Sequence, residues 1–255
     1  AVNTPELVKD LRHINEQPVK QFINVYEPGE MGGIVYSIRM QDKAFKEHFA
    51  VLGSTGKGMI NNLVNCSTSV NKNVFRLVPS ESVYVQAGGF EVNKAFDVFT
   101  AGLKKHAELI EIARNIEGTL EEMAVNGVDV KGKLIKPLKS TMLMCLTMPG
   151  PGIPAPGVAL IMETGTPESI LEILQLLQNE KFTLTERNIE GVSAFTVKIP
   201  NAPVILTFGG VTSKSQKFFV VTTTADMFSG ILKASRTDTL IKFASPDVVD
   251  LNQDI

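Results

Sequence analysis

Gly191-Val192-Ser193-Ala194-Phe195-Thr196-Val197-Lys198-Ile199 alternates as a half-buried strand does. Gly32-Gly33-Ile34-Val35-Tyr36-Ser37-Ile38-Arg39-Met40 can be laid on it, with Tyr36 opposite Phe195 and Arg39 opposite Lys198. Working outward, the two neighbourhoods agree in order. Thr4-Pro5-Glu6 and Thr166-Pro167-Glu168 each place Thr before Pro at a first helical position, an N-terminal helix signal. His48-Phe49-Ala50-Val51-Leu52 matches Lys217-Phe218-Phe219-Val220-Val221, and a short amphipathic helix follows each, ending at Leu63-Val64 and Leu232-Lys233. Between the matched strands, Ala202 to Phe208 reads as a full strand, and Gln41 to Lys46 as its shorter, more polar counterpart. Residues 4–65 and 166–234 therefore read as two copies of one helix–strand–strand–strand–helix unit.

The residues between the copies belong to the second unit. Pro79-Ser80-Glu81 leads into a strand from Ser82 to Ala87, ended by Gly88-Gly89. Val92, Phe96, Phe99, Leu103, Ile110, Ala113, Ile116, Leu120 and Met123 recur at helical spacing and predict one long helix, with Gly118 as the point where it bends or splits. Gly127 is its C-terminal stop. Thr141 to Met148 and Gly157 to Glu163 read as two strands, joined by a proline-rich loop that should protrude. Thr239 to Val249 echoes Asn73 to Val83, so the chain is expected to start inside one unit and stop as another begins, as an excised piece of a longer protein would. The expected divisions are a partial first unit over 1–72, a complete second unit over 73–238, and a tail or further unit over 239–255.

The order of elements resembles a family of uncharacterised, mostly exported bacterial proteins built from tandem α+β units. The residues that carry the likeness are Leu77-Val78-Pro79-Ser80-Glu81-Ser82-Val83-Tyr84-Val85, Asn126-Gly127-Val128-Asp129-Val130 with Leu134 to Leu138, Glu190 to Val197, and Phe218 to Thr224. The resemblance covers roughly residues 74–240. It implies an exported chain of the periplasm or cell envelope and supplies no catalytic residues.

Composition sets bounds of its own. In 255 residues, 25 Lys and Arg face 27 Asp and Glu, and the net charge of −2 lacks the basic excess of a nucleic-acid protein. A hydrophobic content of 44% is enough for well-buried cores and too much for a disordered chain. No run of 18 apolar residues exists that would cross a membrane as a helix. Two cysteines, Cys66 and Cys145, are too few for a disulfide framework; buried free thiols and a single bridge both remain open.

Each motif that suggests chemistry meets an objection. Gly53-Ser54-Thr55-Gly56-Lys57-Gly58 resembles a phosphate loop, yet Val51 stands where the first glycine belongs and Gly58 where the magnesium-binding hydroxyl belongs. Met142, Met144 and Met148 share a strand face while Cys145 points the other way, so packing explains them as well as a soft metal does. His13, His48 and His106 have no ligand spacing; His48 is expected just before a strand and His106 packed in the long helix. No cofactor and no metal are expected. Lys131, Lys133, Lys136 and Lys139 form a basic cluster suited to an acidic partner surface.

The expected fold is α+β, a mostly antiparallel sheet with helices packed on one face and an internal repeat. The expected function is a non-catalytic binding or assembly module of the cell envelope, meeting a protein partner through the loop tip Ile153, Pro154 and Ala155. The alternative is a carrier that holds a hydrophobic small molecule between sheet and long helix, against Phe96, Phe99, Leu103, Val83 and Val85. A phosphate-handling enzyme using the 53–58 turn stands third.

Overall fold

The computed structural model describes residues 31–41, 44–53, 59–107, 109–148, 156–176, 178, 183–198 and 205–237. The chain divides into two compact units. Among the described residues, the first takes in β1 (Met31–Gln41), β2 (Ala44–Gly53), α1 (Met59–Val64), and α2 (Val92–Lys104) from Asn93 on. It also holds α3 (Ile110–Val125) as far as Thr119. The second takes in Thr68–Val92 and the described residues from Leu120 onward. This differs from the expected split at residue 73, because the helices after Val92 fall with β1 and β2.

In the first unit β1 and β2 form an antiparallel hairpin in which Gln41 pairs with Ala44 and Ser37 with His48. Gln41 ends β1 and Ala44 opens β2, so the described residues of this segment belong to the hairpin strands, which corrects the expected third strand. It also places His48 inside β2, four residues after its start, instead of ahead of a strand. The expected single long helix is two helices, and its break lies at residues 105–109, not at Gly118. The reason is packing: the turn brings Leu103 of α2 and Ala113 of α3 into one buried cluster with Met59, flanked by Phe99, Leu109 and Ile116. Gly118 lies exposed with open space where a Cβ would stand, so the helix runs through it at the usual cost of about 1 kcal/mol. Gly127, with φ of +87°, follows the end of α3 in the left-handed conformation that closes a helix.

The second unit is a seven-stranded, fully antiparallel sheet in the order β3-β4-β5-β9-β8-β7-β6. Its strands are β3 (Ser82–Gly89), β4 (Leu138–Thr147), β5 (Gly157–Thr164), β6 (Thr185–Ile189), β7 (Val192–Lys198), β8 (Ile205–Ser213) and β9 (Gln216–Thr222). Two helices flank it, α4 (Pro167–Leu176) and α5 (Ala225–Arg236). Antiparallel strands and helices make the α+β class that the sequence predicts. The expectation of helices on one face is corrected. In β9, Phe218 and Val220 join α5 and the 3₁₀ helix Lys72–Leu77, while Phe219 and Val221 pack with Ile170 of α4. Neighbouring residues of a strand point to opposite faces, so the sheet is covered on both.

A buried polar network fixes the 3₁₀ helix. Asn71 caps it by accepting from Asn73 N–H through Oδ1, its own N–H donates to Thr141 Oγ1 at 2.9 Å, and its Nδ2 donates to Glu163 Oε2 at 3.1 Å. Glu163 is buried, and its other oxygen accepts from Lys139 at 3.2 Å, so the carboxylate is both paired and hydrogen-bonded.

Candidate functional site

The hairpin of β4 and β5 sets Met142 opposite Met162, Met144 opposite Leu160 and Leu146 opposite Val158. On the edge side β3 adds Tyr84 beside Leu146 and Gln86 beside Met144. On the other side Leu160 meets Val221, and Val221 meets Phe208, which meets Phe195. One apolar row therefore crosses the sheet from Met144 to Phe195. Its far half lies under α4, where Phe195 stacks on Phe208 at a centroid distance of 6.4 Å and Phe219 meets Phe208 tilted at 6.3 Å. Its near half is open: Leu160 and Tyr84 are each 39% exposed, and Met148, just past the end of β4, is 68% exposed.

Among the described residues, this floor carries no charged side chain. Its polar atoms at the edge satisfy each other, since the Tyr84 hydroxyl donates to Gln86 Oε1 at 3.0 Å. Cys145, between Met144 and Leu146, points to the opposite face and is fully buried, as the alternation of the strand requires. Burial pushes its thiol up to about 11, with the Ser82 side chain opposing the shift and the Glu81 charge adding to it. Such a thiol is an inert packing group, not a nucleophile. Cys66 is likewise a buried thiol, its Sγ donating to the Asn62 carbonyl at 3.3 Å. Both cysteines are thiols, which closes the choice that their spacing left open.

A cleft of about 580 Å³ runs along α5, lined by Val78, Ser80, Glu81, Asp226, Ser229 and Lys233 among others. Gly230 allows its narrow floor, because a Cβ there would stand 3.0 Å from Glu81 Oε1. Two hydroxyls in it meet carboxylates: Ser80 Oγ donates to Glu81 Oε2 at 3.1 Å, and Ser229 Oγ donates to Glu190 Oε1 at 2.9 Å, with Lys233 Nζ 3.3 Å from the same oxygen. The hydrogen bonds from Ser229 and Lys233, with the charges of Lys233 and Arg236, hold Glu190 below the usual carboxylate range. A carboxylate held ionised in this way is a poor general base, so this triplet clamps α5 to the β6–β7 turn and does not activate Ser229. A second cleft of about 120 Å³, beside Met59, Asn62, Gly102 and His106, is smaller than small-molecule sites usually are. His106 lies half-buried in the link between α2 and α3, not inside a helix.

The residues expected to line a carrier site are distributed as follows. Leu103 is buried in the helical cluster of the first unit, with Phe99 packed against it and Phe96 half-buried. In the second unit Val83 is 61% exposed and Val85 is half-buried against the Cys145 cluster. Neither cleft is lined by any of the five. Ile153, Pro154 and Ala155 lie outside the described residues, as do residues 54–58, the helix expected from Thr4, and 239–255. Of the four clustered lysines, Lys133 pairs with Glu172 at 3.0 Å and Lys139 with Glu163. Among the described residues, no three His, Cys, Asp or Glu side chains gather as a metal site would need, and no helix is long and apolar enough to cross a membrane.

The alternation of β4 places Met142 and Met144 on one face, and the pairing adds the exposed Leu160 and Tyr84 and the half-buried Val158 to it. Their signal is the same even-numbered alternation on two strands joined in sequence, which a hairpin brings side by side. Compared with protein-family models, curated proteins and solved structures, the chain has no match.

Proposed function

We propose that the chain is a non-catalytic binding or assembly module whose recognition surface is the open floor of β3, β4 and β5. The observation that carries this reading is the exposure of Leu160, Tyr84 and Met148 on a sheet whose other half is sealed by α4. Open apolar surface of this kind marks a contact site more often than a defect, and methionine is suited to it because its unbranched thioether adapts to a partner's shape. The site chemistry fits the same reading: the two cysteines are buried thiols, and the serine best placed for attack faces a carboxylate that holds its charge. An envelope location, implied by the resemblance to exported tandem-unit proteins, belongs to this proposal.

Native mass spectrometry of the protein isolated gently from its own cells tests it. A retained polypeptide, released when Leu160→Glu is introduced, is the expected result. A retained small molecule instead would replace the module with the carrier.

A further inference from the structure

We infer that the outer edge of β3 pairs with the same edge of a second copy of this chain, antiparallel about a two-fold axis at Gln86, so that the two sheets become one. The pairing concerns the edge of the sheet and stands apart from whatever the floor binds.

The two edges of the seven-stranded sheet differ in kind. β6 is five residues long and carries Glu186 and Arg187, both exposed. Charge on a short strand blocks pairing with another chain. β3, at the opposite edge, is eight residues long and holds neither a charge nor a proline. Tyr84, Gln86 and Gly88 lie exposed along it.

Two hydrogen bonds fix which backbone groups this edge offers. Thr68 N–H donates to the Gly89 carbonyl at 3.1 Å, on the side away from β4, whereas Phe90 N–H donates to the Ser140 carbonyl of β4 at 2.6 Å. The direction alternates along a strand, so Ala87 and Val85 turn their N–H and C=O outward while Gly88, Gln86 and Tyr84 face β4. Thr68 occupies the Gly89 end of the edge. At the other end the pairing with β4 shifts between Ser82 and Tyr84, which bends the strand. The straight stretch open to pairing is therefore Tyr84 to Gly88.

That stretch is complementary to itself. With Gln86 on the axis, an antiparallel copy sets Val85 opposite Ala87 and Ala87 opposite Val85, and each pair exchanges both of its backbone bonds. The same register sets Tyr84 opposite Gly88 of the second copy. A Cβ on Gly88 would meet nothing within 4 Å, and an aromatic ring from the facing strand fills such a space. No residue of the stretch is charged, so identical sequences meet without repulsion. The charged β6 edge stops further growth, and joining β3 to β3 uses up the one open edge of each sheet, so the assembly closes at two copies. The axis stands perpendicular to the sheet, which leaves the two floors side by side on one face.

The test is sedimentation of the intact chain from about 1 µM to about 1 mM, the span of affinities open to a small interface. The expected result is a concentration-dependent dimer that weakens about tenfold or more with Val85→Pro, and with Gln86→Lys or Gln86→Glu alone. Val85→Pro removes an outward N–H and leaves the bonds to β4 in place; Gln86 is exposed, and thermal unfolding of each variant checks that it folds. Because Gln86 meets its own copy on the axis, mixing the Gln86→Lys and Gln86→Glu chains should restore a dimer with one chain of each kind. A monomer at every concentration would overturn the inference and leave the floor as a binding surface. So would a dimer indifferent to these substitutions, a dimer dissolved only by Leu160→Glu, or a mixture of the two charged variants that fails to pair.

Discussion

Phe228 of α5 stands directly over Gly209 of β8, where a Cβ would lie 3.0 Å from the ring Cζ and 3.3 Å from the Ser193 carbonyl oxygen. The next residue, Gly210, meets Pro167 of α4 on the other face, where a Cβ would lie 3.1 Å from two ring carbons. Successive glycines thus let one helix close on each side of the same strand.

Gly209→Ala should therefore destabilise the protein by about 1–3 kcal/mol, the usual cost of overpacking. That exceeds the roughly 0.5–1 kcal/mol that alanine gains over glycine inside a strand. Gly88→Ala, with nothing within 4 Å of the added methyl, should be neutral or slightly stabilising. Urea unfolding of the two variants checks the contrast, and equal midpoints would mean that α5 yields easily.

Much of this architecture was readable in advance. The strand β5, the entry of α4 at Thr166-Pro167, the stop at Gly127 and the opposition of Cys145 to its methionine neighbours all follow from local patterns. The break between α2 and α3 does not, since Lys104-Lys105-His106 is compatible with a helix and only the shared burial of Leu103 and Ala113 turns the chain. Cover on both faces is also written in the sequence. Phe218-Phe219-Val220-Val221 is a continuous apolar run, and such runs mark strands buried on both sides. The openness of the floor depends on where α4 comes to lie over the sheet, which no single strand encodes.

Glu190 ties the β6–β7 turn to α5 through Ser229, Lys233 and Arg236, whose guanidinium also donates to the Glu190 carbonyl. Its carboxyl is held low in the folded chain, so the unfolded chain binds the proton first as pH falls. The contribution is complete above the ordinary value of 4.5 and is lost as pH drops through the folded value. Glu190→Gln should lower the thermal midpoint at neutral pH, and the difference should shrink below pH 4.5 and in high salt. A difference independent of pH would assign the clamp to hydrogen bonding alone.

Cys145 moves the other limb of the pH profile. Its thiol is raised from 9.0 to about 11, so the unfolded chain ionises first on the alkaline side. Stability is unaffected below pH 9.0 and falls as pH rises from there towards 11, by roughly 2–3 kcal/mol in all. Cys145→Ala should lose part of its packing at neutral pH and show a flatter alkaline limb. At neutral pH an alkylating reagent should label neither Cys145 nor Cys66 until the chain unfolds, and rapid labelling of Cys145 in the native protein would contradict its burial.

Two tight turns among the described residues of the sheet differ in whether they carry glycine. Between Ile189 and Val192 the loop is Glu190-Gly191, with φ of 52° and 83°; between Ser213 and Gln216 it is Lys214-Ser215, with φ of 45° and 64°. Both have the positive φ at two central residues that a type I′ hairpin needs, and only the first supplies glycine at the second position. Ser215 holds the left-handed conformation against its own Cβ, at a cost of roughly 1 kcal/mol, and its hydroxyl returns a little by donating to the Lys214 carbonyl. Ser215→Gly should then raise stability by about 0.5 kcal/mol, since the strain removed exceeds one exposed local hydrogen bond. The mirror substitution, Gly191→Ser, should lower it by about 1 kcal/mol, because it installs the same strain and disturbs the turn from which Glu190 reaches α5. Chemical denaturation of the two variants decides the matter: a loss of stability in Ser215→Gly would show that its hydroxyl, not its backbone, governs the β8–β9 turn.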